Sequence, residues 1–314
     1  TLPHLLVSGM TGTGKSTLIH RILNSLLLQN DPTSLRLILV DFKRVELPLY
    51  NSIPHLLTPV ILDPQKAVMA LKWLNKEIDR RNELLRNAGI TNVEAYHEQA
   101  GNKDMPFIVC AMDEFSDGMH SYPAEMEKEI IRITQMGRGT GIHLILSTSR
   151  PSTKVVTKAI KTDVQARAIF QVASPADSRW LLGVTGADAQ RGVGSMLFQK
   201  RGMTFPTDVQ VLPMNDIEIK KNVAGLIDAF SDQSYDVSEQ IAHDDGVDAL
   251  YPKARMVVMA AGRASTSLLQ RMLKIGYSRA AQLVDKLETD GVIEPANGAR
   301  PRKVHKRLDL PDLE

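Results

Sequence analysis

The segment Gly9-Met10-Thr11-Gly12-Thr13-Gly14-Lys15-Ser16 fits the phosphate-binding pattern G-x-x-x-x-G-K-[ST] at every fixed position, and it constrains the fold more than any other stretch. Such a loop needs glycines so that successive backbone N–H groups can curl around phosphates. It also needs a lysine for the β and γ oxygens and a hydroxyl for Mg²⁺. The apolar run Leu5 to Ser8 before it reads as a buried strand. Thr17 to Leu28 after it carries Leu18, Ile19, Ile22, Leu23, Leu26 and Leu27 at helical spacing. Strand, glycine turn and helix follow in order, with the helix N-terminus aimed at the ligand. A nucleoside triphosphate with Mg²⁺ is therefore the expected ligand pair, with Gly9 to Ser16 and Thr17 as its binding residues.

Further apolar runs at Leu35 to Val40, Phe107 to Met112, Ile142 to Thr148 and Ala166 to Val172 are separated by helical stretches. Together they imply an α/β domain with a mostly parallel sheet and helices on both faces. The third strand closes on Asp113-Glu114, the acidic pair that a phosphate-loop hydrolase needs. Asp113 is expected to share Mg²⁺ with Ser16, and Glu114 to activate the attacking water, while Lys15 grips the phosphates. An arginine from a neighbouring subunit completes many such sites; Arg138, in the glycine-rich turn 136–141, and Arg150 are the candidates. Pro64 to Ala88 reads as a helix whose charge run, Lys76, Glu77, Asp79, Arg80, Arg81 and Glu83, is expected to be a solvated face. Cys110, the single cysteine, falls in a strand and is expected to be a buried core thiol.

At 314 residues the chain has room for a large domain and a small one. The acidic stretch Ser231 to Asp248, with few large apolar residues, reads as a solvated tether. The expected division is a nucleotide-binding α/β domain at 1–230, a linker at 231–249 and a small module at 250–314. The formal charge is only +2, yet Lys253 to Arg307 holds twelve Lys/Arg against four Asp/Glu. The near-neutral whole hides a basic module. Ala254 to Ala261, Ser265 to Leu273 and Ser278 to Glu288 are helical patterns there. Val292-Ile293, an Asn297-Gly298 turn and a basic strand from Arg302 to Arg307 follow as a wing. A helix-turn-helix sets the start of its second helix against base edges. Ser278, Arg279 and Gln282 are thus expected to read bases, and Arg300, Arg302 and Lys303 to contact phosphates.

The stretches 35–47 (LRLILVDFKRVEL), 53–60 (IPHLLTPV), 141–151 (GIHLILSTSRP), 169–179 (IFQVASPADSR) and 263–281 (RASTSLLQRMLKIGYSRAA) resemble, in this order, the FtsK/SpoIIIE family of bacterial DNA translocases. The resemblance implies a RecA-like ATPase in a hexameric ring around double-stranded DNA, pumping it during chromosome segregation. It also implies a C-terminal winged helix, the gamma domain, that reads orienting sequences. A site-specific recombinase partner is implied, as is a parent protein anchored in the inner membrane through a missing N-terminal region, this fragment being cytoplasmic. The chain opens on Thr1-Leu2-Pro3-His4 without Met, as expected of a fragment. The family has Gln where Ser149 stands, and its L-G-x-G-D-M-L stretch, here 192–197, is expected to face the ring's channel. Lys154, Lys158, Lys161 and Arg191 are candidate DNA contacts. A conjugation-type coupling ATPase moving single strands and an ATP-switched winged-helix regulator are the alternative readings.

Overall fold

In the first of two compact units, Thr1–Asp244 and Asp245–Glu314, alternation along β2 (Leu35–Asp41) already dictates a two-faced sheet. Leu37 and Leu39 point to one face and Ile38 and Val40 to the other, all of them buried in two separate cores. The structure is a computed structural model that describes residues 3–100, 105–189, 192–230, 233, 236–242, 251–273, 277–294 and 302–305.

The sheet has seven strands in the order β2-β3-β4-β1-β5-β6-β7. β1 (His4–Ser8), β3 (Phe107–Asp113), β4 (Ile142–Thr148) and β5 (Ala166–Ile169) join β2 in parallel pairing, as the apolar runs predict. β6 (Ser195–Gln199) and β7 (Thr207–Gln210) extend it antiparallel beyond β5. The chain leaves β1 for the far edge at β2 and returns through β3 and β4, before β5 takes the other side. The carboxyl end of β1 is therefore a switch point, the place where open α/β sheets bind ligands. Residues 53–61 run alongside β2 through Leu37–Leu56 and Val40–Ile61 bridges, covering that edge.

One face packs α1 (Lys15–Gln29) and, later in the chain, α8 (Asp216–Phe230) through Leu23, Leu27, Ile219 and Val223. The other packs α2 (Pro64–Asn87) and α5 (Pro123–Met136) through Leu71, Leu74, Ile130 and Ile133. Asp63 starts α2 by accepting from Gln65 N and Lys66 N, with Pro64 fitting the first turn. The short helices α3 (Val93–Ala100), α4 (Ser116–Ser121), α6 (Lys158–Asp163) and α7 (Pro175–Leu182) complete the connections. Cys110 is a core thiol, its pKa pushed up to about 12 by burial. Among the described residues no helix is long and apolar enough to cross a membrane.

Two expectations fail here. The charge run of α2 is not wholly solvated: Arg81 is 1% exposed, because Glu77 Oε1 accepts its Nε at 2.7 Å and Thr140 O accepts its Nη1 at 2.8 Å. A buried guanidinium persists only when paired in this way. Inside the stretch read as a tether, Ser238–Ala242 forms α9, with Val237 and Ile241 buried in the first unit. Their spacing of four puts two apolar side chains on one helix face, and Val237 N donates to Leu57 O at 2.7 Å.

The second unit packs α10 (Tyr251–Ala261), α11 (Thr266–Leu273) and α12 (Tyr277–Thr289) around Val258, Leu269, Leu283, Val284 and Leu287. β8 (Arg263–Ala264) pairs antiparallel with β9 (Arg302–Lys303), and Ile293 bridges Val304. Three helices with a small β-ribbon make a winged helix. The Asn297-Gly298 turn, Arg300 and Arg307 lie outside the described residues.

Candidate active site

The phosphate loop leaves β1 with its own backbone partly engaged. Met10 N donates to Gln171 O at 2.7 Å, while Thr13 is turned inward, its Oγ1 donating to Met10 O at 2.7 Å. Lys15 Nζ crosses the loop to the same carbonyl at 2.9 Å, and burial lowers the pKa of this lysine against the pull of Glu114 and Asp113. Gly14, in the left-handed region at φ 112°, is the N-cap of α1 and no side chain caps that helix. The free N–H groups of its first turn are thus available to an anion.

A cavity of about 420 Å³ opens there, lined by Thr11, Gly12, Gly14 to Thr17, Lys43, Asp113 and Glu114, with Val45, Glu46 and Val193 at its edge. Of the sequence-predicted binding residues, Met10 instead lines a neighbouring cavity of about 370 Å³ with Thr11, Lys43, Glu114, Asp117, Ser149 and Arg150. Gly9 and Thr13 line neither and shape the loop from behind. The structure brings Lys15, Ser16, Asp113 and Glu114 together around one cavity.

The carboxylates differ in state. Asp113 is buried, and desolvation followed by the like charge of Asp41 raises its pKa. Glu114, at φ 50°, is buried too. Burial works against its charge, but bonds from Lys43, Ser149 and Ser116 outweigh this and bring its pKa down to about 2. Its Oε1 accepts Ser116 Oγ at 2.7 Å, Thr148 Oγ1 at 3.0 Å and Ser149 N at 2.8 Å. Its Oε2 accepts Ser149 Oγ and Lys43 Nζ, both at 2.7 Å. Ser149 therefore donates to the Glu114 carboxylate through both its backbone N–H and its hydroxyl.

Ser16 and Asp113 offer one hydroxyl and one carboxylate at the cavity wall, hard oxygens of the kind Mg²⁺ takes. Among the described residues no cluster of three His, Cys, Asp or Glu could hold a metal alone. A cation bound through one or two protein oxygens, phosphate and water asks no more of the protein than the oxygens of Ser16 and Asp113.

Lys43 was not expected at the site. The signal was a second strand ending in an acid, Asp41, followed by a lysine. The fully buried Asp41 carboxylate accepts backbone N–H groups from Lys43 and Arg44 on Oδ1. Its Oδ2 accepts those of Val45, Glu46 and Leu47, all five bonds being 2.9–3.0 Å. This cradle fixes the 42–47 loop beside β3 and delivers the lysine.

The arginine candidates separate. Arg150 is exposed at the smaller cavity. Arg138 lies before β4 and so at the other end of the sheet from the loop, roughly 20 Å away by the rise of a seven-residue strand. Within one chain it cannot reach the phosphates. Lys161 is not free as a DNA contact: its ammonium sits 4.5 Å over the Trp180 ring and its carbonyl accepts from Arg167. Lys154 and Lys158 are both exposed, and Arg191 lies outside the described residues. The 192–197 stretch, expected at a channel, rests on the phosphate loop, with Gly194 N donating to Thr13 O at 2.9 Å.

In the second unit Ser278, Arg279 and Gln282 all fall on α12, their side chains lying outside the described residues. Arg302, expected on a phosphate, instead pairs with Glu288 and Asp285 of α12. Opposite charges on the adjacent helix compete successfully for a strand arginine. Lys303 is exposed.

Comparison with known proteins agrees with this layout. The model of the FtsK/SpoIIIE family matches residues 1–153, and that of the Ftsk gamma domain matches residues 245–307. DNA translocase FtsK of Caldanaerobacter subterraneus is 42% identical over 96% of this chain and 43% of its own length. DNA translocase SpoIIIE of Bacillus subtilis is 40% identical over 96% of this chain and 40% of its own length. The chain thus spans about two fifths of these relatives. Among solved structures, the pCW3 conjugation coupling protein TcpA with ATPγS superposes at a TM-score of 0.64. It is 28% identical, over 72% of this chain and 65% of that one. EssC ATPases 2 and 3 from Geobacillus thermodenitrificans share the fold at a TM-score of 0.65 and 19% identity, over 75% of this chain and 46% of that one. With a phosphate loop, an acidic strand end and a winged helix in one order, and with 96% of its length matched by each of these two relatives, the chain belongs to the FtsK/SpoIIIE family.

Proposed function

We propose that this chain is an ATP-hydrolysing motor that translocates double-stranded DNA for chromosome segregation, its winged helix reading orienting sequences. The observation that carries the reading is the convergence of Lys15, Ser16, Asp113 and Glu114 on one cavity at the switch point, in a chain that ends in a gamma domain. ATP lies along the loop from Gly9 to Thr17, with its phosphates on the open N-terminus of α1. Ser16 and Asp113 would hold Mg²⁺, which would supply charge neutralisation to the phosphates. Glu114 orients the attacking water. Its hydrogen bonds keep it ionised, so positioning outweighs basicity in its role.

Arg138 lies at the far end of the sheet from its own loop, so in this reading it serves the site of the next copy in a hexameric ring, and Arg150 serves its own. Arg279 and Gln282, with Ser278, contact bases from α12. Lys303 and Arg300 contact phosphates. The same machinery includes a site-specific recombinase and a membrane anchor outside these residues.

Duplex-stimulated ATP turnover and displacement of a third strand from linear triplex DNA test this reading, with and without residues 250–314. Displacement by the motor alone, with orientation lost on removing the tail, is expected. Absence of both turnover and displacement would overturn it. The likeness to a conjugation coupling protein favours one second reading, motion along single strands; stimulation by single-stranded but not duplex DNA would select it.

A further inference from the structure

Among the described residues, Lys43 is the one cation that borders both cavities at the switch point, and it does so while bonded to the water-orienting carboxylate. The larger cavity is walled by the phosphate loop and Asp113, the smaller by Ser149, Arg150 and Asp117. Thr11, Lys43 and Glu114 are common to both. The Lys43–Glu114 pair, 2.7 Å long, therefore forms part of the wall between the space for the nucleotide phosphates and the space next to them.

The pair is asymmetric. Glu114 is fixed by four further bonds from Ser116, Thr148 and Ser149, whereas the Lys43 side chain is 45% exposed and bonded through its ammonium to Glu114. Its backbone is held by the Asp41 cradle, so its stem pivots from a fixed point. A lysine is a point charge on a flexible stem with three donors. It can keep one acceptor and take another.

We propose that Lys43 is the site's sensor of the terminal phosphate: a nucleoside triphosphate draws its ammonium from Glu114 Oε2 onto the γ-phosphoryl oxygens. The move frees one acceptor position on that carboxylate oxygen, which keeps its bond from Ser149 Oγ, to hold the attacking water, and it opens the wall between the cavities beside it. A diphosphate is too short to compete for the lysine, and the pair stays closed. Lys43 thus couples recognition of the third phosphate to exposure of the catalytic carboxylate. This rests on the ATP-site reading above and deepens it.

The test measures binding of fluorescent ADP and fluorescent ATPγS, and steady-state ATP turnover, on the wild-type chain and on Lys43→Met and Lys43→Arg, with melting curves to confirm folding. ADP affinity is expected to stay within about twofold throughout, since the lysine makes no bond to a diphosphate. Lys43→Met is expected to lose roughly tenfold of the preference for ATPγS over ADP, the worth of one charge-assisted bond. Its kcat should fall on the order of a hundredfold, as for loss of one preorganised donor. Lys43→Arg should recover part of both. A Lys43→Met chain that discriminates and turns over as the wild type does, or that loses ADP and ATPγS affinity equally, overturns the proposal. So does a wild type with no preference for ATPγS. If Lys43→Met fails to melt cooperatively, the Lys43→Arg and Lys43→Gln chains carry the same comparison. A wild type that binds neither nucleotide overturns the ATP-site reading itself, a result distinct from a working site indifferent to Lys43.

Discussion

Gly14 and Gly194 meet backbone to backbone: a Cβ on Gly14 would stand 3.0 Å from the Gly194 Cα, while Gly194 N donates to Thr13 O. The antiparallel edge thereby braces the phosphate loop from outside. A Cβ on Gly194 would itself stand 2.7 Å from Val211 O, at φ 82°. Gly194→Ala is expected to loosen the loop, costing about 2 kcal/mol of stability from the left-handed strain and the displaced carbonyl. ATP should bind at least roughly tenfold more weakly. Chemical denaturation and nucleotide titration check both.

Glu114→Gln keeps the size of the side chain and removes the charge that holds Lys43 and orients water. ATP affinity should persist while turnover drops by about two to four orders of magnitude. Phosphate release measured beside nucleotide binding separates the two effects, and an unchanged rate would remove Glu114 from the chemistry.

The buried Arg81 carries no expected catalytic role, yet it ties α2 to the turn before β4 through Thr140 O. Arg81→Met leaves Glu77 with Arg80 alone. A loss of about 3 kcal/mol in urea unfolding is expected, the usual result of removing one member of a buried pair.

His4 gives the fold an acid-sensitive point. Desolvation, then the charge of His143, whose ring lies 6.2 Å away, lowers its pKa from 6.5 to about 3. The unfolded chain takes up a proton on this histidine below pH 6.5 and the folded chain does not. Its contribution is therefore complete above that pH and is lost progressively as pH falls toward 3. His4→Asn keeps an acceptor for Leu144 N without titrating. Its unfolding free energy should fall less steeply between pH 6.5 and 5 than that of the wild type, over the upper part of that window.

Arg302 and Lys303 are neighbours with opposite expected fates. Lys303→Ala should reduce the slope of log K for DNA against log salt by about one. Arg302→Ala should leave that slope nearly unchanged and instead lower the stability of the second unit by about 1 kcal/mol, since its guanidinium is spent on Glu288 and Asp285.

What was legible in the residues follows from what each part depends on. The strands β1 to β5 are buried on both faces and so read as unbroken apolar runs. The phosphate loop and Asp113-Glu114 are local patterns attached to those runs. β6 and β7 were not legible, because β7 is exposed along its length and carries no burial pattern. Lys43 was hidden because its role depends on β2 lying beside β3, a long-range pairing that no local period encodes. Arg81 misled for a related reason: a charge among charges on α2 looks solvated until the turn at Thr140 arrives to bury it. The ion pairs of Arg302 were hidden because its partners sit on α12, more than a dozen residues back in the chain.

The position of Arg138 at the far end of the sheet from its own phosphate loop has a consequence for inheritance. Under the proposed ring, a chain lacking this arginine keeps a sound pocket of its own and spoils the one next door. Sound and defective copies made in the same cell would assemble together, and each defective copy would silence a site built by a healthy neighbour. Such an allele would behave as dominant, whereas one damaged only at Lys15 would be expected to leave the adjoining pockets with their chemistry intact.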